Sequence, residues 1–133
     1  MLVVLDTNIL VSALISPFGP PARVLDMVLG GDIQVAYDDR LLAEYREVLA
    51  RPKFSFAPED VAALLAYLET DGEHMTARSL PHALPDADDL PFLEVATQAG
   101  AVLITGNVVH YPPTVRGAVQ VNTPAEFLRV WQG

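Results

Sequence analysis

The amino-acid sequence predicts a three-layer α/β/α fold, with helices on both faces of a central, mostly parallel sheet. Short apolar runs alternate along the chain with longer segments of helical spacing, which is typical of strand–helix–strand units. The first run, Leu2–Leu5, passes directly into Asp6, as expected of a buried strand that ends at a polar residue. The length of 133 residues and the hydrophobic content of 51% suit one domain spanning residues 1–133.

Strands are predicted where a short apolar run ends at polar or turn-forming residues, and helices where apolar residues recur every three to four positions. Thr123, Pro124 and Glu126 have the spacing of a capping box, which marks the start of the last helix. The predicted elements are, in chain order, strand 2–5, helix 9–15, helix 21–29, strand 33–37, helix 40–50, helix 58–68, a short strand 74–80, a helix at 92–99, strand 101–105, strand 118–121 and the last helix from 124.

The predicted helix 40–50 places one acid near the sheet. At about 100° per residue, its larger apolar residues form a single stripe, and Glu47 falls nearly opposite that stripe, where solvent is expected. Glu44 falls at the border of the stripe. Its carboxylate is therefore able to lean over the edge of the sheet.

Composition and charge exclude several classes of function. The chain has no cysteine, which excludes disulfides and thiolate metal sites, and its apolar runs are too short to cross a membrane. Met1 leads directly into the first strand, so no signal peptide is expected and a cytoplasmic location is predicted. The net charge of −9 is opposite to that of a plain nucleic-acid binder, so a polyanionic ligand would need divalent cations or a basic partner.

Four polar residues fall where strand ends and helix starts bring side chains together. Asp6 ends the first strand, Glu44 lies in the third helix, Asp89 opens the helix before the fourth strand, and Asn107 follows that strand. Ligands of parallel α/β sheets bind just past the carboxyl ends of the strands. Close carboxylates repel one another unless a counter-charge is present, and Mg²⁺ takes oxygen ligands. The set therefore indicates a metal site suited to phosphodiester hydrolysis.

Each acid also has a simpler structural interpretation. Asp6 is equally well placed to cap the helix that follows it, and Glu44 taken alone is typical of a solvated helix residue. One acid among Asp86, Asp88 and Asp89 is expected to be a helix cap. Helical spacing favours Asp89 as the one that faces the sheet, with Asp88 turned aside and Asp86 before the helix.

Other catalytic patterns are weak or missing. His74, His82 and His110 are scattered, and each is more typical of a surface or loop residue than of a metal ligand. The sequence has no Ser-His-Asp order, no phosphate-binding glycine loop and no dinucleotide fingerprint.

Five sequence motifs cover nearly the whole chain. They are Val4–Ala13, Leu41–Pro52, Asp86–Ala96, Leu103–Pro112 and Asn122–Leu128. They resemble the motifs of the PIN-domain nucleases, and they are most similar to the VapC-like branch of toxins from toxin–antitoxin systems. The motifs occur in the same order and at matching spacing, which makes the resemblance specific.

The resemblance implies a PIN-like fold with a sheet of about five parallel strands, and a divalent-metal-dependent endoribonuclease. It implies that Asp6, Glu44 and Asp89 are the catalytic and metal-binding acids, with Mg²⁺ or Mn²⁺ as the cofactor. Asn107 stands where the family often has a fourth acid. A neutral residue there argues against a fully charged second metal site, although Asn107 is still able to donate a hydrogen bond or orient an acid.

Further polar residues are candidates for supporting these acids. Thr7, Asn8, Ser12 and Thr105 lie close to the acids along the chain, and Asp86 belongs to the third acidic motif. Thr7 or Asn8 is alternatively suited to satisfying the start of the first helix. Candidates for contacts with RNA, each individually more typical of solvated surface charge, are Arg23, Arg40, Arg46, Arg51 and Lys53.

Two other functions compete with the nuclease. A catalytically weak PIN-fold module that binds an antitoxin or nucleic acid is favoured by the neutral Asn107 and the net charge of −9. A receiver domain or a haloacid-dehalogenase-type phosphatase is disfavoured, because Asn8 replaces the second aspartate that the phosphatase needs and Lys53 is the only lysine. The resemblance further implies an RNA substrate, a cognate antitoxin protein and a homodimer.

Overall fold

The computed structural model describes residues 1–132, and within them it confirms the predicted three-layer α/β/α architecture. This part of the chain holds five strands and six α-helices. They are, in chain order, β1 (Leu2–Leu5), α1 (Thr7–Ile15), α2 (Pro20–Leu29), β2 (Gln34–Tyr37), α3 (Asp39–Leu49), α4 (Pro58–Asp71), β3 (Glu73–His74), α5 (Leu90–Ala99), β4 (Val102–Ile104), β5 (Val121–Asn122) and α6 (Pro124–Gln132).

The five strands form one fully parallel sheet in the order β3-β2-β1-β4-β5. The chain first builds outward from β1 through β2 to β3, and then returns to the other side of β1 to build β4 and β5. The strand order thus reverses between β1 and β4, where Leu5 is paired with Ile104. Such a switch point leaves a crevice at the carboxyl ends of its two strands, which is the usual ligand site of an open parallel sheet.

Helices cover both faces of this sheet. Among these helices, α2 packs against α1 and α6, and α3 packs against α1, α4 and α5. Because both faces are covered, β1 reads as a continuous apolar run, and its residues Val3, Val4 and Leu5 are completely buried. The capping box of α6 is confirmed, since Glu126 N donates to Thr123 Oγ1 and Thr123 N donates to Glu126 Oε1.

The predicted strand 74–80 is mostly wrong, because β3 comprises only Glu73–His74. The last bond to the sheet is made by Met75 N, which donates to a β2 carbonyl at 3.0 Å. The chain then leaves the sheet, and Leu80 N donates instead to the buried carboxylate of Glu94 on α5 at 2.6 Å. At Leu80 the backbone N–H therefore bonds to a side chain, and not to a neighbouring strand as the apolar spacing predicts.

The last strand is displaced from its predicted span. The sequence predicts a strand over residues 118–121, whereas β5 is Val121–Asn122. Gly117 adopts a left-handed φ of 57°, and Val119 N donates to the carbonyl of Arg116, so the chain is still in a turn at these positions. Across the described residues, no helix has the length and apolarity needed to span a membrane.

Candidate active site

Asp6 lies in the crevice at the switch point, directly after β1. Its backbone N–H donates to the carbonyl of Ile104 at 3.0 Å, which continues the pairing with β4. Asp6 occupies the N-cap position of α1, but its side chain makes no capping hydrogen bond. The carboxylate Oδ2 instead accepts hydrogen bonds from Thr105 Oγ1 at 2.9 Å and Tyr111 Oη at 3.0 Å. Of the two interpretations open from the sequence, the side-chain cap is therefore excluded.

Glu44 is brought to the same crevice by α3. Its neighbour Tyr45 is fully buried and donates to the carbonyl of Leu5 at 2.5 Å, which ties this turn of α3 to the end of β1. Glu44 itself is half-buried, and its Oε2 accepts a hydrogen bond from Thr7 Oγ1. Burial raises the pKa of Glu44, the bond from Thr7 opposes that rise, and the negative charge of Asp6 adds to it.

Asp89 lies at the end of a short 3₁₀ turn that leads into α5. It is only 9% exposed, and its Oδ2 lies 3.0 Å from Nδ1 of His110. Burial is the largest cause that raises the pKa of Asp89 to about 6, and the charges of Asp6 and Asp86 contribute in the same direction. The hydrogen bond and charge of His110 only partly offset this rise.

These three acids lie close enough for the charge of Asp6 to raise the pKa of both Glu44 and Asp89. Within residues 1–132, however, no three His, Cys, Asp or Glu side chains form a group tight enough to hold a metal ion by themselves. Mg²⁺ is commonly held by one or two carboxylates, with water and substrate phosphate completing its ligands. Asp6 and Asp89 fit that set of ligands, because both carboxylates are buried and, in the part of the chain that the structure describes, no basic side chain neutralises the two of them. Glu44 is suited to contact the ion through a water molecule.

Besides Thr7, which donates to Glu44, two more of the predicted supporting residues form hydrogen bonds at the site. Thr105 is fully buried, and its Oγ1 both donates to Asp6 and accepts from Asn107 N at 3.0 Å. Asn8 accepts a hydrogen bond from Gly106 N at its Oδ1, at 2.9 Å. A Cβ at position 106 would lie 3.2 Å from that same oxygen, so glycine allows the close approach. The ends of β1 and β4 are thereby joined beside Asp6.

The other predicted supporting residues lie further from the acids. Ser12 and the side chain of Asn107 are exposed, and together with Asn8 they line a separate groove of about 390 Å³. Asp86 caps the 3₁₀ turn by accepting a hydrogen bond from Asp88 N at 3.0 Å. Asp86 is therefore the cap expected within this group of acids, and the charge of its carboxylate contributes to the raised pKa of Asp89.

Sequence reasoning missed two residues of the site, His110 and Tyr111. The expectation that His110 is a loop residue is correct, but it did not include the contact with Asp89. Tyr111 is completely buried, and burial together with the charge of Asp6 raises its pKa. The available signal was that both follow Asn107 in the loop after β4, at the edge of the sheet that carries the acids.

The candidate RNA-contacting cations are largely engaged with other groups. Arg40 donates to two buried acids, at 2.8 Å and 2.7 Å. Arg46 and Arg51 form exposed ion pairs with glutamates at 3.3 Å and 2.9 Å, which RNA phosphates are able to displace because such pairs are weak. Lys53 Nζ lies 5.1 Å from the centre of a phenylalanine ring, and Arg23 is exposed on α2.

We expect the metal-free protein to lose stability as the pH rises from about 4 to about 6. The folded chain holds the proton of Asp89 more tightly than the unfolded chain does, because its pKa is about 6 instead of the ordinary 3.8. Ionisation across this window thus favours unfolding, by at most about 3 kcal/mol. Denaturant unfolding in chelator at several pH values measures the effect. Since net charge also varies with pH, Asp89→Asn is the comparison, and equal pH slopes for both proteins would contradict the prediction.

Comparisons with known proteins agree with this architecture. The family model described as PIN domain matches residues 2–109. An uncharacterised protein of Methanocaldococcus jannaschii is 28% identical over 108 residues, which cover 79% of this chain and 70% of that protein. A chain in the crystal structure of VapBC2 from Rickettsia felis, bound to a DNA fragment from their promoter, superposes with a TM-score of 0.62 at 18% identity. That match covers 92% of this chain and 98% of the other.

Proposed function

The chain belongs to the PIN domain family, and on that premise we propose that it is a divalent-metal-dependent endoribonuclease. The observation that carries the proposal is the pair Asp6 and Asp89, two buried carboxylates at the switch-point crevice whose pKa values are both raised. Burying a carboxylate costs free energy. Carboxylates with raised pKa values in a crevice are therefore typical of functional sites. A cation removes the repulsion between them and explains why both are kept.

In this proposal Asp6 and Asp89 hold Mg²⁺ or Mn²⁺ directly, and Glu44 contributes through water. When bound, the ion supplies positive charge for the non-bridging oxygens of the phosphodiester and makes a water molecule more acidic. Glu44 would orient the attacking water and accept its proton, for which its raised pKa is suitable. As the water oxygen bonds to phosphorus, the bond from phosphorus to the leaving ribose oxygen breaks, and that oxygen takes a proton from solvent. Thr7 fixes Glu44, and Thr105 fixes Asp6, so that neither carboxylate has to reorganise during hydrolysis.

The proposed biological setting is a type II toxin–antitoxin pair in the cytoplasm, with this chain as the toxin. The similar fold in a complex entitled VapBC2 supports an antitoxin partner. A chain of net charge −9 with an acidic crevice favours a basic segment of such a partner, because complementary charge speeds association and selects the partner. The homodimer implied by the family resemblance stays a prediction.

A second function is favoured by the absence, among the described residues, of a tight group of three possible metal ligands. In this alternative the chain is a catalytically weak module that binds an antitoxin or nucleic acid. Thermal melting with and without millimolar Mn²⁺ separates the two functions, because a ligand that binds the folded state raises the melting temperature. A nuclease is expected to show that rise, whereas an unchanged melting temperature favours the module.

Cleavage of labelled RNA tests the proposed activity. Single-stranded and structured RNA should be cut with Mg²⁺ or Mn²⁺, left intact in chelator, and cut again when excess Mn²⁺ is restored. Cleavage that persists in chelator would overturn the metal requirement. Intact RNA under every metal condition would overturn the nuclease.

A further inference from the structure

We infer that the consecutive residues His110 and Tyr111, here called the His–Tyr pair, position Asp6 and Asp89 for metal binding. The inference rests on the proposed function and extends it to two side chains that bind no metal themselves. Tyr111 Oη donates to Asp6 Oδ2 at 3.0 Å, and His110 Nδ1 lies 3.0 Å from Asp89 Oδ2. One dipeptide therefore contacts both carboxylates, although Asp6 and Asp89 are far apart in the sequence.

Each contact occupies one oxygen of its carboxylate. Oδ2 of each aspartate is occupied by the His–Tyr pair, and Thr105 adds a second donor to Oδ2 of Asp6. Within the described residues, no side chain donates to Oδ1 of either acid. Holding one oxygen fixes the rotation of the carboxylate and leaves the other for a ligand. Outer partners of this kind orient metal-binding residues in many metal sites.

The loop that carries the pair is itself restrained. His110 N donates to the carbonyl of Asn107 at 2.9 Å, and Tyr111 N donates to that of Val108 at 3.0 Å, which forms a 3₁₀ turn. Arg116 Nε then donates to the carbonyl of Tyr111 at 2.6 Å from the far side of the loop. Because the Tyr111 side chain is also 0% exposed, the turn has little freedom to shift. The two carboxylates are consequently set at one separation and one orientation.

The His–Tyr pair also gives a role to the loop after β4, in which the neutral Asn107 stands where a fourth acid is often found. The exposed side chain of Asn107 supplies no charge, and its backbone N–H is used to hold Thr105. The same loop instead provides a donor to Asp6 from Tyr111 and a contact to Asp89 from His110. In this arrangement the loop after β4 orients the carboxylates that are proposed to bind the metal, and it supplies no further metal ligand.

Mn²⁺ affinity, measured by electron paramagnetic resonance or calorimetry, tests the inference. Tyr111→Phe removes one hydroxyl, and His110→Ala removes the imidazole. Each is expected to weaken Mn²⁺ binding by about 10-fold or more, as loss of an outer partner typically does. His110→Asn should restore part of the loss, since its amide is able to donate from nearly the position of Nδ1. RNA cleavage is expected to show a lower kcat with little change in KM.

Tyr67→Phe and His74→Ala are the matched controls. The Tyr67 hydroxyl donates to Val28 O, and His74 contacts Asp39, so both pairs lie outside the site. If the parent binds Mn²⁺ and both site variants bind it as tightly as the controls do, the inference is overturned while the proposed function stands. If the parent binds no Mn²⁺, the proposed function fails, and the inference fails with it. His110 is partly exposed, so His110→Ala keeps the test available should Tyr111→Phe fail to fold.

Discussion

Asp6→Asn is expected to lower RNA cleavage by at least about 100-fold, because loss of even an outer partner of a metal ligand typically costs 10- to 100-fold. The change keeps the shape of the side chain and an oxygen that accepts from Thr105 and Tyr111, so the site is not dismantled. It removes one of the two charges proposed to hold the ion. The metal-free variant should melt at the same temperature as the parent or higher, because burial already disfavours the charge of Asp6.

Opposite effects on activity and stability separate a functional role of Asp6 from a structural one. The measurement is the initial rate of RNA cleavage in Mn²⁺, together with the melting temperature in chelator. Asp26→Asn is the matched control, since Asp26 is exposed on α2 and should leave both quantities unchanged. If the Asp6→Asn protein is as active as the parent, Asp6 is not a catalytic residue. A variant that loses activity and melts well below the parent in chelator would assign Asp6 a structural role.

Glu94→Ala is expected to destabilise the protein by about 3 kcal/mol, through a lost hydrogen bond and the space it leaves. Glu94 is only 3% exposed, and one carboxylate joins two segments. Its Oε1 accepts from Arg40 at 2.7 Å, and its Oε2 accepts from Leu80 N at 2.6 Å. Alanine leaves the partly buried N–H of Leu80 without its acceptor. Arg40 is less affected, because it is half-exposed and keeps Asp38.

Denaturant unfolding of the parent, Glu94→Ala and Glu94→Gln measures this contribution. Glutamine fills the same space and keeps an oxygen for Leu80 N, but it presents an NH2 group to Arg40 in place of the second acceptor. Its loss of stability should therefore be smaller than that of alanine. Hydrogen exchange adds a local readout, since residues 75–86 should exchange faster in the alanine variant while the strands stay protected. An alanine variant within about 0.5 kcal/mol of the parent would show that Glu94 is not the anchor of this segment.

The sequence predicts the fold and the position of the first acid well, because both depend on local patterns. A buried parallel strand has to be apolar on both faces, so Leu2–Leu5 identifies β1 and places Asp6 at its carboxyl end. Helical spacing likewise places Glu44 at the border of the buried face of α3, where it is half-buried. The parallel order of the strands then puts the ends of β1 and β4 side by side.

The partners of the acids were harder to predict, because they come from irregular segments. Tyr111 reaches Asp6 across 105 positions of the chain, from a loop whose path depends on the contact of Arg116 with a backbone carbonyl. No periodicity encodes such a path. The same limitation explains the predicted strand 74–80, since the apolar pattern does not reveal that Glu94 takes the N–H of Leu80.

Polar residues near an acid in sequence were also an incomplete guide to the site. Thr7 and Thr105 do contact the acids, because Thr7 is the second residue after β1 and Thr105 is the first residue after β4. Ser12 lies further along α1, and its side chain lines the neighbouring groove instead. A position one or two residues past a strand end was thus more informative than a polar side chain alone.

The most direct test of the central claim is to map RNA ends in cells after brief expression of the parent chain or of Asp6→Asn. The claim is that the crevice between β1 and β4 hydrolyses RNA. New RNA ends at defined positions should accumulate with the parent chain and be missing with Asp6→Asn expressed at the same level. Identical RNA ends from the two proteins would contradict the claim.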